Sequence, residues 1–440
     1  MTAKEAAALD ERLDRFLGEV TASLGRSERH RWAKIYLQGL LMEGGRKSIE
    51  PLANRMAGAD VQSLRQFVGQ SPWAVEEIQQ RLAEKMVDLL AEPEVWMIDE
   101  TSFSKAGSAS VGVTRQYCGA LGKIANCQVA VSLHWSTCET SCPLAWRLYL
   151  PESWLATPAR RAEGKIPEGI GYRSKNQLAL DLVDQALAWD VPRLPVVADS
   201  AYGNDFDFRA GLRERGLQYA VAVEPGTKVW TSDPAQVPVA ASKPTGRPRQ
   251  YAALKDLPEA KTLLAVAAAL SPQAWRNITW RQGTKGPMRS RFAQIQVWAA
   301  HGWKRQEHPE RVMEWLLIEW PEGAAAPSDY WLAQLGNQTV GLRRLVKTAR
   351  ARWRVEMDYR ELKEELGLDH YEGRHWLGWH HHVTLVSLAF AFLRVEQTRA
   401  KKTFGAMPVT LPQTRARLQV RLIHLAGQCP WCKTRFDNTT

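Results

Sequence analysis

Long apolar runs are missing from this sequence of 440 residues. No stretch reaches the roughly 18–20 consecutive apolar residues that a membrane-spanning helix requires. The first residues, Met1–Glu5, mix both charges and lack the apolar core of a signal peptide. We therefore expect a cytoplasmic protein that makes no contact with a membrane.

Cysteine is also scarce, because the chain contains only six. That number is too small for a disulfide framework in a chain of this length. Cys429 and Cys432 form one Cys-x2-Cys pair, but a zinc ribbon needs a second pair that the sequence does not supply. His424 could complete a partial zinc site, which stays an alternative. We expect the other four to be small core residues: Cys118, Cys127, Cys138 and Cys142.

Acidic residues are fewer than basic residues in this chain. The chain has 58 lysines and arginines against 47 aspartates and glutamates, for a formal net charge of +11. Basic proteins of this size often bind polyanions, of which nucleic acid is the commonest. A basic surface that only aids solubility is the alternative, so charge alone does not decide the function.

Changes in hydrophobic periodicity divide the chain into five segments. They are an N-terminal helical domain (1–90), the first part of an α/β core (91–216), a β-rich insertion (217–335), C-terminal helices of the core (336–398) and a basic tail (399–440). Within the first segment, residues 48–68 resemble a DNA-binding helix-turn-helix. A small helical bundle without DNA contacts is the alternative.

Three acidic residues stand in distinctive settings. Asp99 follows the apolar run Val95–Ile98, and Asp199 follows the run Leu194–Ala198. Glu356 lies inside a basic segment with helical periodicity. Two carboxylates at strand ends and a third on a helix can meet at one edge of a sheet, where they would hold Mg²⁺ or Mn²⁺. A metal pair in such a site can activate a nucleophile against a phosphodiester.

The predicted helix around Glu356 also carries two cations. Arg352 shares a face with Glu356 by the i,i+4 rule, and Lys363 lies near the same stripe two turns later. The carboxylate could hold a metal ion while the two cations bind the DNA backbone. An ordinary solvated basic helix is the alternative, and Glu364 is the acidic residue that could take the place of Glu356.

In this order the motifs resemble the DDE transposases of bacterial insertion sequences. Asp199-Ser200-Ala201-Tyr202-Gly203 is similar to the motif of their second aspartate. One branch of that family inserts a β-rich subdomain before the glutamate and carries a Tyr-x2-Arg-x3-Glu-x6-Lys signature. Arg352, Glu356 and Lys363 match this signature, whereas the tyrosine position is Ala349.

The resemblance implies an α/β fold with a ribonuclease H-like mixed sheet, flanking helices and a β-rich insertion. It implies that Asp99, Asp199 and Glu356 are catalytic and bind Mg²⁺ or Mn²⁺. It further implies a homodimer that cuts double-stranded DNA at insertion-sequence ends and joins the 3′-OH to target DNA in the nucleoid. The alternative is a catalytically silent or domesticated transposase-derived DNA-binding protein or nuclease.

Further candidate DNA contacts lie in the β-rich insertion. Arg247 and Arg249 belong to a Gly-Arg-Pro motif of the kind that enters a minor groove, with a plain Pro-rich linker as the alternative. Arg289 and Arg291 suggest a DNA-facing ribbon on which Trp298 could stack against a displaced base. A core position for this tryptophan is the alternative.

A group of histidines follows the predicted helix of Glu356. It consists of His375, His380, His381 and His382. The three consecutive residues fall at a predicted helix start, where neighbouring side chains diverge around the axis. We therefore expect structural histidines here, with a metal site as the alternative.

Overall fold

The structure, a computed structural model, describes residues 3–90, 92–234, 257–283, 286–302, 312–336, 339–404 and 410–425. The Cys429–Cys432 pair and the two arginines of the Gly-Arg-Pro motif, Arg247 and Arg249, lie outside the described residues. Across the described ranges, no helix is long and apolar enough to cross a membrane.

The helices and strands are numbered in chain order. The first are α1 (Ala3–Val20), α2 (Ser27–Leu41), α3 (Ile49–Ala53), α4 (Val61–Gly69), α5 (Val75–Leu89), β1 (Pro93–Ser104), β2 (Thr114–Cys118), β3 (Lys123–Thr137), β4 (Ser141–Leu148), α6 (Glu152–Leu155), α7 (Pro158–Gly164) and α8 (Lys175–Ala188). Next come β5 (Val196–Ala198), α9 (Ser200–Gly203), α10 (Phe206–Glu214), β6 (Tyr219–Val223), β7 (Lys228–Trp230), β8 (Lys261–Thr262) and α11 (Leu263–Ala268). The last are β9 (Arg276–Gly283), β10 (Gly286–Ala299), β11 (Met313–Trp320), β12 (Asp329–Gln334), α12 (Leu342–Ala349), α13 (Trp353–Glu364), α14 (Trp376–Phe404) and α15 (Leu411–Leu425).

Residue contacts divide the chain into two compact units. The first consists of Met1–Pro93, Asp99–Pro192 and Arg354–Thr440, and the second of Glu94–Ile98 and Arg193–Trp353. The N-terminal helices thus share a unit with part of the α/β region. This division differs from the five consecutive segments predicted from periodicity. Periodicity can only divide the chain into consecutive stretches, whereas contacts join residues that are distant in sequence.

Helix α14 is the centre of the first unit. Its residues Val383–Leu393 are all buried, as expected for a segment that is apolar on nearly every side. It packs against α2, α4, α5 and β4. The apolar faces of α2, α4 and α5 are therefore buried against α14.

Strand β3 organises the sheet of the first unit. β4 pairs antiparallel with its second half, where Ala130 lies opposite Leu148. β2 pairs antiparallel with its start, and β1, which belongs to this unit from Asp99 onward, is bonded to its other edge. Cys118, Cys127 and Cys142 are buried as expected, whereas Cys138 is exposed because it lies in the turn between β3 and β4.

The sheet of the second unit is mixed. The Glu94–Ile98 part of β1 is parallel to β5, and β5 is parallel to β6. β6 then pairs antiparallel with β12, followed by β11 and β10. Tyr219 lies opposite Gln334, so the first and last strands of the predicted β-rich insertion are neighbours. The predicted fold class, α/β with a mixed sheet and flanking helices, is confirmed.

Candidate active site

Asp99 lies inside strand β1 and not at its end. The strand continues to Ser104, because its later residues pair with β3. The Asp99 side chain is only 6% exposed, and its Oδ1 accepts a hydrogen bond from the backbone N–H of Glu100 at 2.8 Å. The apolar run before Asp99 therefore predicted the strand correctly but not its length.

The pairing of β1 with β5 relates Asp99 to Asp199. Met97 lies opposite Val197 in the parallel register, and the strand β5 ends at Ala198. Each aspartate thus follows a residue of this pair by two positions. Asp199 thus stands just after the end of its strand, whereas Asp99 stands within a longer one.

Asp199 begins the short helix α9. Its Oδ1 accepts a hydrogen bond from the backbone N–H of Ala201 at 3.0 Å, which caps the helix. The last residue of the same motif, Gly203, must lack a side chain. A Cβ at this position would lie 1.8 Å from the carbonyl oxygen of Ala222 on β6. Tyr202 is fully buried. The motif thus fixes the backbone that carries Asp199.

Glu356 is an exposed residue of the first turn of α13. Later on the helix, the Nζ of Lys363 donates to the carbonyl oxygen of Ser102 at 2.9 Å and lies 5.7 Å from the ring centroid of Phe103. Burial lowers the pKa of Lys363. These contacts fasten α13 to the part of β1 that follows Asp99.

Tyr359, one turn after Glu356, connects the same helix with the sheet. Its hydroxyl lies 2.6 Å from the Oγ of Ser132 on β3. Burial raises the pKa of Tyr359 well above its ordinary value, and the negative charge of Asp99 raises it further. The phenol therefore stays protonated.

Sequence reasoning missed a buried hydrogen-bond network around Asp358, the residue before Tyr359 on α13. The Nδ1 of His134 lies 2.9 Å from Asp358 Oδ2, and the Nε2 of the same imidazole lies 2.8 Å from the Oγ of Ser132. Arg394 of α14 donates to Asp358 Oδ1 at 2.9 Å, and the hydroxyl of Ser141 donates to that oxygen at 2.8 Å. We call these residues, together with Tyr359, the α13 network.

The charge state of Asp358 follows from its partners. Burial alone would raise the pKa of this carboxyl, but the hydrogen bond from His134 and the positive charge of Arg394 outweigh burial and lower it. Ser132, His134 and Asp358 have the order of a catalytic triad, yet all three are completely buried. No substrate reaches them in this arrangement, so the α13 network holds the helix on β3, β4 and α14.

Arg352 does not share a continuous α-helix with Glu356 as predicted. It belongs to a 3₁₀ turn over Arg350–Arg352 that joins α12 to α13. Ala349, at the tyrosine position of the signature, is buried on the apolar face of α12. The helical periodicity continues through these residues, so the break could not be predicted from the residue pattern.

The predicted ribbon of the insertion has one exposed cation on β10. Arg289 is exposed, with its nearest acidic oxygen on Glu322 at 4.0 Å. Arg291 is half-buried, and its guanidinium lies 4.9 Å from the ring centroid of Trp320. Trp298 is also half-buried, opposite Trp230 of β7. Of the three predicted contacts, Arg289 is therefore the one placed at the surface.

An aromatic residue near Glu356 escaped the sequence reasoning. Trp353, the first residue of α13, is 37% exposed. The guanidinium of Arg281 on β9 lies 3.6 Å from its ring centroid. The sequence shows a tryptophan three residues before Glu356, but it does not show that this side chain is exposed.

The histidines at the start of α14 are structural. His381 places Nδ1 2.9 Å from the carbonyl of Val68 and Nε2 3.1 Å from that of Trp73. Burial lowers the pKa of His381 to about 4, and that of both His380 and His382 to about 3. These imidazoles are neutral, which agrees with the structural role expected for them.

Within the residues that the structure describes, no group of three or more histidines, cysteines, aspartates or glutamates is placed to hold a metal ion. Asp99 on β1 and Glu356 on α13 each offer carboxylate oxygens. Such oxygens are the ligands that Mg²⁺ and Mn²⁺ prefer.

Comparison with known proteins relates this chain to endonucleases and transposases. Residues 19–287 match the family model described as DDE superfamily endonuclease, a range that includes Asp99 and Asp199 and ends before Glu356. A probable transposase for insertion sequence element IS701 from Microchaete diplosiphon is 30% identical over 187 residues, which are 42% of this chain and 46% of the relative. The chain thus matches about half the length of this curated relative. A cryo-EM structure of a piggyBac transposase synaptic complex with hairpin DNA has a TM-score of 0.43 at 10% identity, covering 91% of this chain and 72% of that chain.

Proposed function

The chain belongs to the DDE superfamily of endonucleases, and from that premise we propose that it is a transposase. Its reaction would cut DNA at the ends of an insertion sequence and join the freed 3′-OH to target DNA. Asp99, Asp199 and Glu356 would be the catalytic carboxylates of a ribonuclease H-like core. The observation that supports this most is the attachment of α13 to the part of β1 that follows Asp99.

That attachment supports a short distance between Glu356 and Asp99. Lys363 and Ser102 mark one point where helix and strand touch. Glu356 lies seven residues before Lys363, which is about 10 Å of helix. Asp99 lies three residues before Ser102, which is also about 10 Å of strand. Tyr359, four residues before Lys363, contacts Ser132 of β3, the strand beside β1, and Asp99 helps to raise its pKa. These observations support a helix and strand that run in the same direction, with the two carboxylates as neighbours.

The donor set fits a divalent metal ion, because all three groups are carboxylates. We propose Mg²⁺ or Mn²⁺ as the cofactor, held by Asp99, Asp199 and Glu356. When bound, the metal would polarise the phosphodiester and lower the pKa of an attacking water or hydroxyl. The chain itself supplies the fixed backbone at Asp199 and the α13 network, which hold the carboxylate-bearing elements in place.

The proposed partner is double-stranded DNA, both the ends of the element and the target. Arg352 comes four residues before Glu356 and Lys363 seven residues after it, and both side chains are half-buried. We propose that they neutralise phosphates of the bound DNA, as would exposed Arg289. Two copies on DNA, one at each end, would form the working homodimer in the cytoplasm at the nucleoid.

Cleavage of the DNA that flanks its own coding region tests the proposed function. The purified full-length protein is incubated with a plasmid that carries the flanking sequences of both sides, with Mg²⁺ or with EDTA. We expect strand cuts that leave a 3′-OH at the element boundary, and joined products with a second DNA, only when the metal is present. Binding of these ends without any cleavage would contradict the enzyme and favour the silent DNA-binding alternative.

A further inference from the structure

Strands β2 and β3 form a hairpin that projects from the sheet of the first unit. Only the first residues of β3 pair with β2, from Thr114 opposite Cys127 to Cys118 opposite Lys123. The turn between them is closed by a hydrogen bond from the N–H of Leu121 to the carbonyl of Cys118 at 2.9 Å. Gly122 adopts a positive φ of 62°, which favours glycine at this position.

The hairpin exposes large apolar side chains. Tyr117 is 62% exposed, Ile124 is 61% exposed and Leu121, in the turn, is 48% exposed. Tyr117 lies directly opposite Ile124, so the two side chains share one face. The other face is the anchored one, where Cys118 and Cys127 are buried with Val129. An apolar cluster of this kind in water marks an interaction surface.

Charge indicates which partner the hairpin fits. Arg115 shares the exposed face with Tyr117 and Ile124, and Lys123 lies next to the turn; both cations are exposed. The sequence contains no aspartate or glutamate anywhere between Thr101 and Cys138. Such a hairpin complements a nucleic acid: its cations can bind the phosphates, and its apolar side chains can contact the apolar faces of the bases.

The turn of the hairpin is attached to the strand that carries Asp99. The Oγ of Ser102 accepts a hydrogen bond from the backbone N–H of Ala120 at 3.0 Å and lies 3.4 Å from the Sγ of Cys118. The carbonyl of the same serine accepts from Lys363. Since Ser102 is about 10 Å along the strand from Asp99, the turn lies about three nucleotide spacings from that carboxylate.

We propose that this hairpin enters the substrate DNA beside the cleaved bond. Tyr117, Leu121 and Ile124 insert as an apolar wedge that unstacks bases, and Arg115 and Lys123 bind the flanking phosphates. Apolar wedges flanked by cations are a known means of opening a base step. The inference rests on the proposed function, because DNA is the substrate on which the hairpin acts.

Base unstacking can be measured with 2-aminopurine, which brightens when it leaves the stack. The probe is a duplex of the flanking end sequence with 2-aminopurine placed in turn at each position near the boundary. Full-length protein is expected to brighten one or two adjacent positions. Leu121→Ser should abolish that signal, because the variant loses the apolar side chain that separates the bases.

Leu264→Ser is the matched control, since Leu264 on α11 is 49% exposed and lies in the other unit. This variant should bind and brighten the probe like the parent protein. If Leu121→Ser behaves as Leu264→Ser does, the hairpin does not act on DNA. A changed oligomeric state of Leu121→Ser with unchanged DNA binding would likewise overturn the proposal, since the surface would then bind a second copy. Failure of the parent protein to cut the end would instead count against the proposed function alone.

Discussion

Replacing Glu356 with glutamine is expected to lower strand cleavage by at least about a hundredfold, the usual loss when one preorganised charged contact of an active site is removed. Glutamine keeps the size of the side chain and removes the charge that would hold a divalent ion. Glu356 is exposed on α13, so the change should leave the fold intact. Binding to the end DNA should persist, because backbone contacts from lysine and arginine supply most of the affinity.

Glu364→Gln is the control for this experiment. Glu364 is also exposed, lies on the same helix and falls near the same face as Glu356. Cleavage rates and gel shifts would be measured for both variants on one end fragment. Equal losses in the two variants, or full cleavage by Glu356→Gln, would remove Glu356 from the active site.

The second large effect concerns stability. Asp358→Asn is expected to destabilise the protein by about 3–5 kcal/mol, the usual result of breaking a buried ion pair by neutralising one partner. The variant leaves Arg394 and His134 facing a neutral amide inside the first unit. Urea denaturation followed by circular dichroism measures the loss. The pKa of Asp358 is lower in the folded protein than in the unfolded chain. The ionised carboxylate therefore contributes its full share to the free energy of unfolding above about pH 3.9, the ordinary pKa of aspartate. That share is lost as the pH falls through the lower pKa of the folded state.

Glu50→Gln provides the comparison for an exposed ion pair. Glu50 and Arg65 are joined at 3.0 Å with both side chains more than half exposed, and such pairs contribute about 0–1 kcal/mol. The Glu50 variant should therefore unfold close to the parent protein. A similarly small change for Asp358→Asn would mean that the α13 network does not hold the helix.

The strands that precede Asp99 and Asp199 could be predicted because the information is local. Apolar runs before Asp99 and Asp199 indicated buried strands, and both strands are present with a parallel register. The helix of Glu356 was predicted from its periodicity and is observed as α13. What the sequence could not indicate was the 3₁₀ turn at Arg352, because three residues of tighter helix leave the periodicity unchanged.

The α13 network could not be predicted for a different reason. Its central bond joins His134 and Asp358, which are 224 positions apart. Nothing in the pattern around either residue marks it as a partner of the other. The exposure of the β2–β3 hairpin was equally hidden, since its alternation of Tyr117 and Ile124 with smaller residues is typical of a strand covered on one face.

Metal binding by the three carboxylates is the central claim, and it can be measured without any cleavage. Free Mn²⁺ gives an electron paramagnetic resonance signal that disappears on binding, so titrations report affinity directly. Asp99→Asn, Asp199→Asn and Glu356→Gln should each weaken Mn²⁺ binding strongly, because all three would be ligands of one centre. Asp205→Asn, which changes the cap of α10, should bind Mn²⁺ like the parent protein. Unchanged Mn²⁺ binding in any of the three variants, or equal weakening in the Asp205 control, would contradict a shared metal centre.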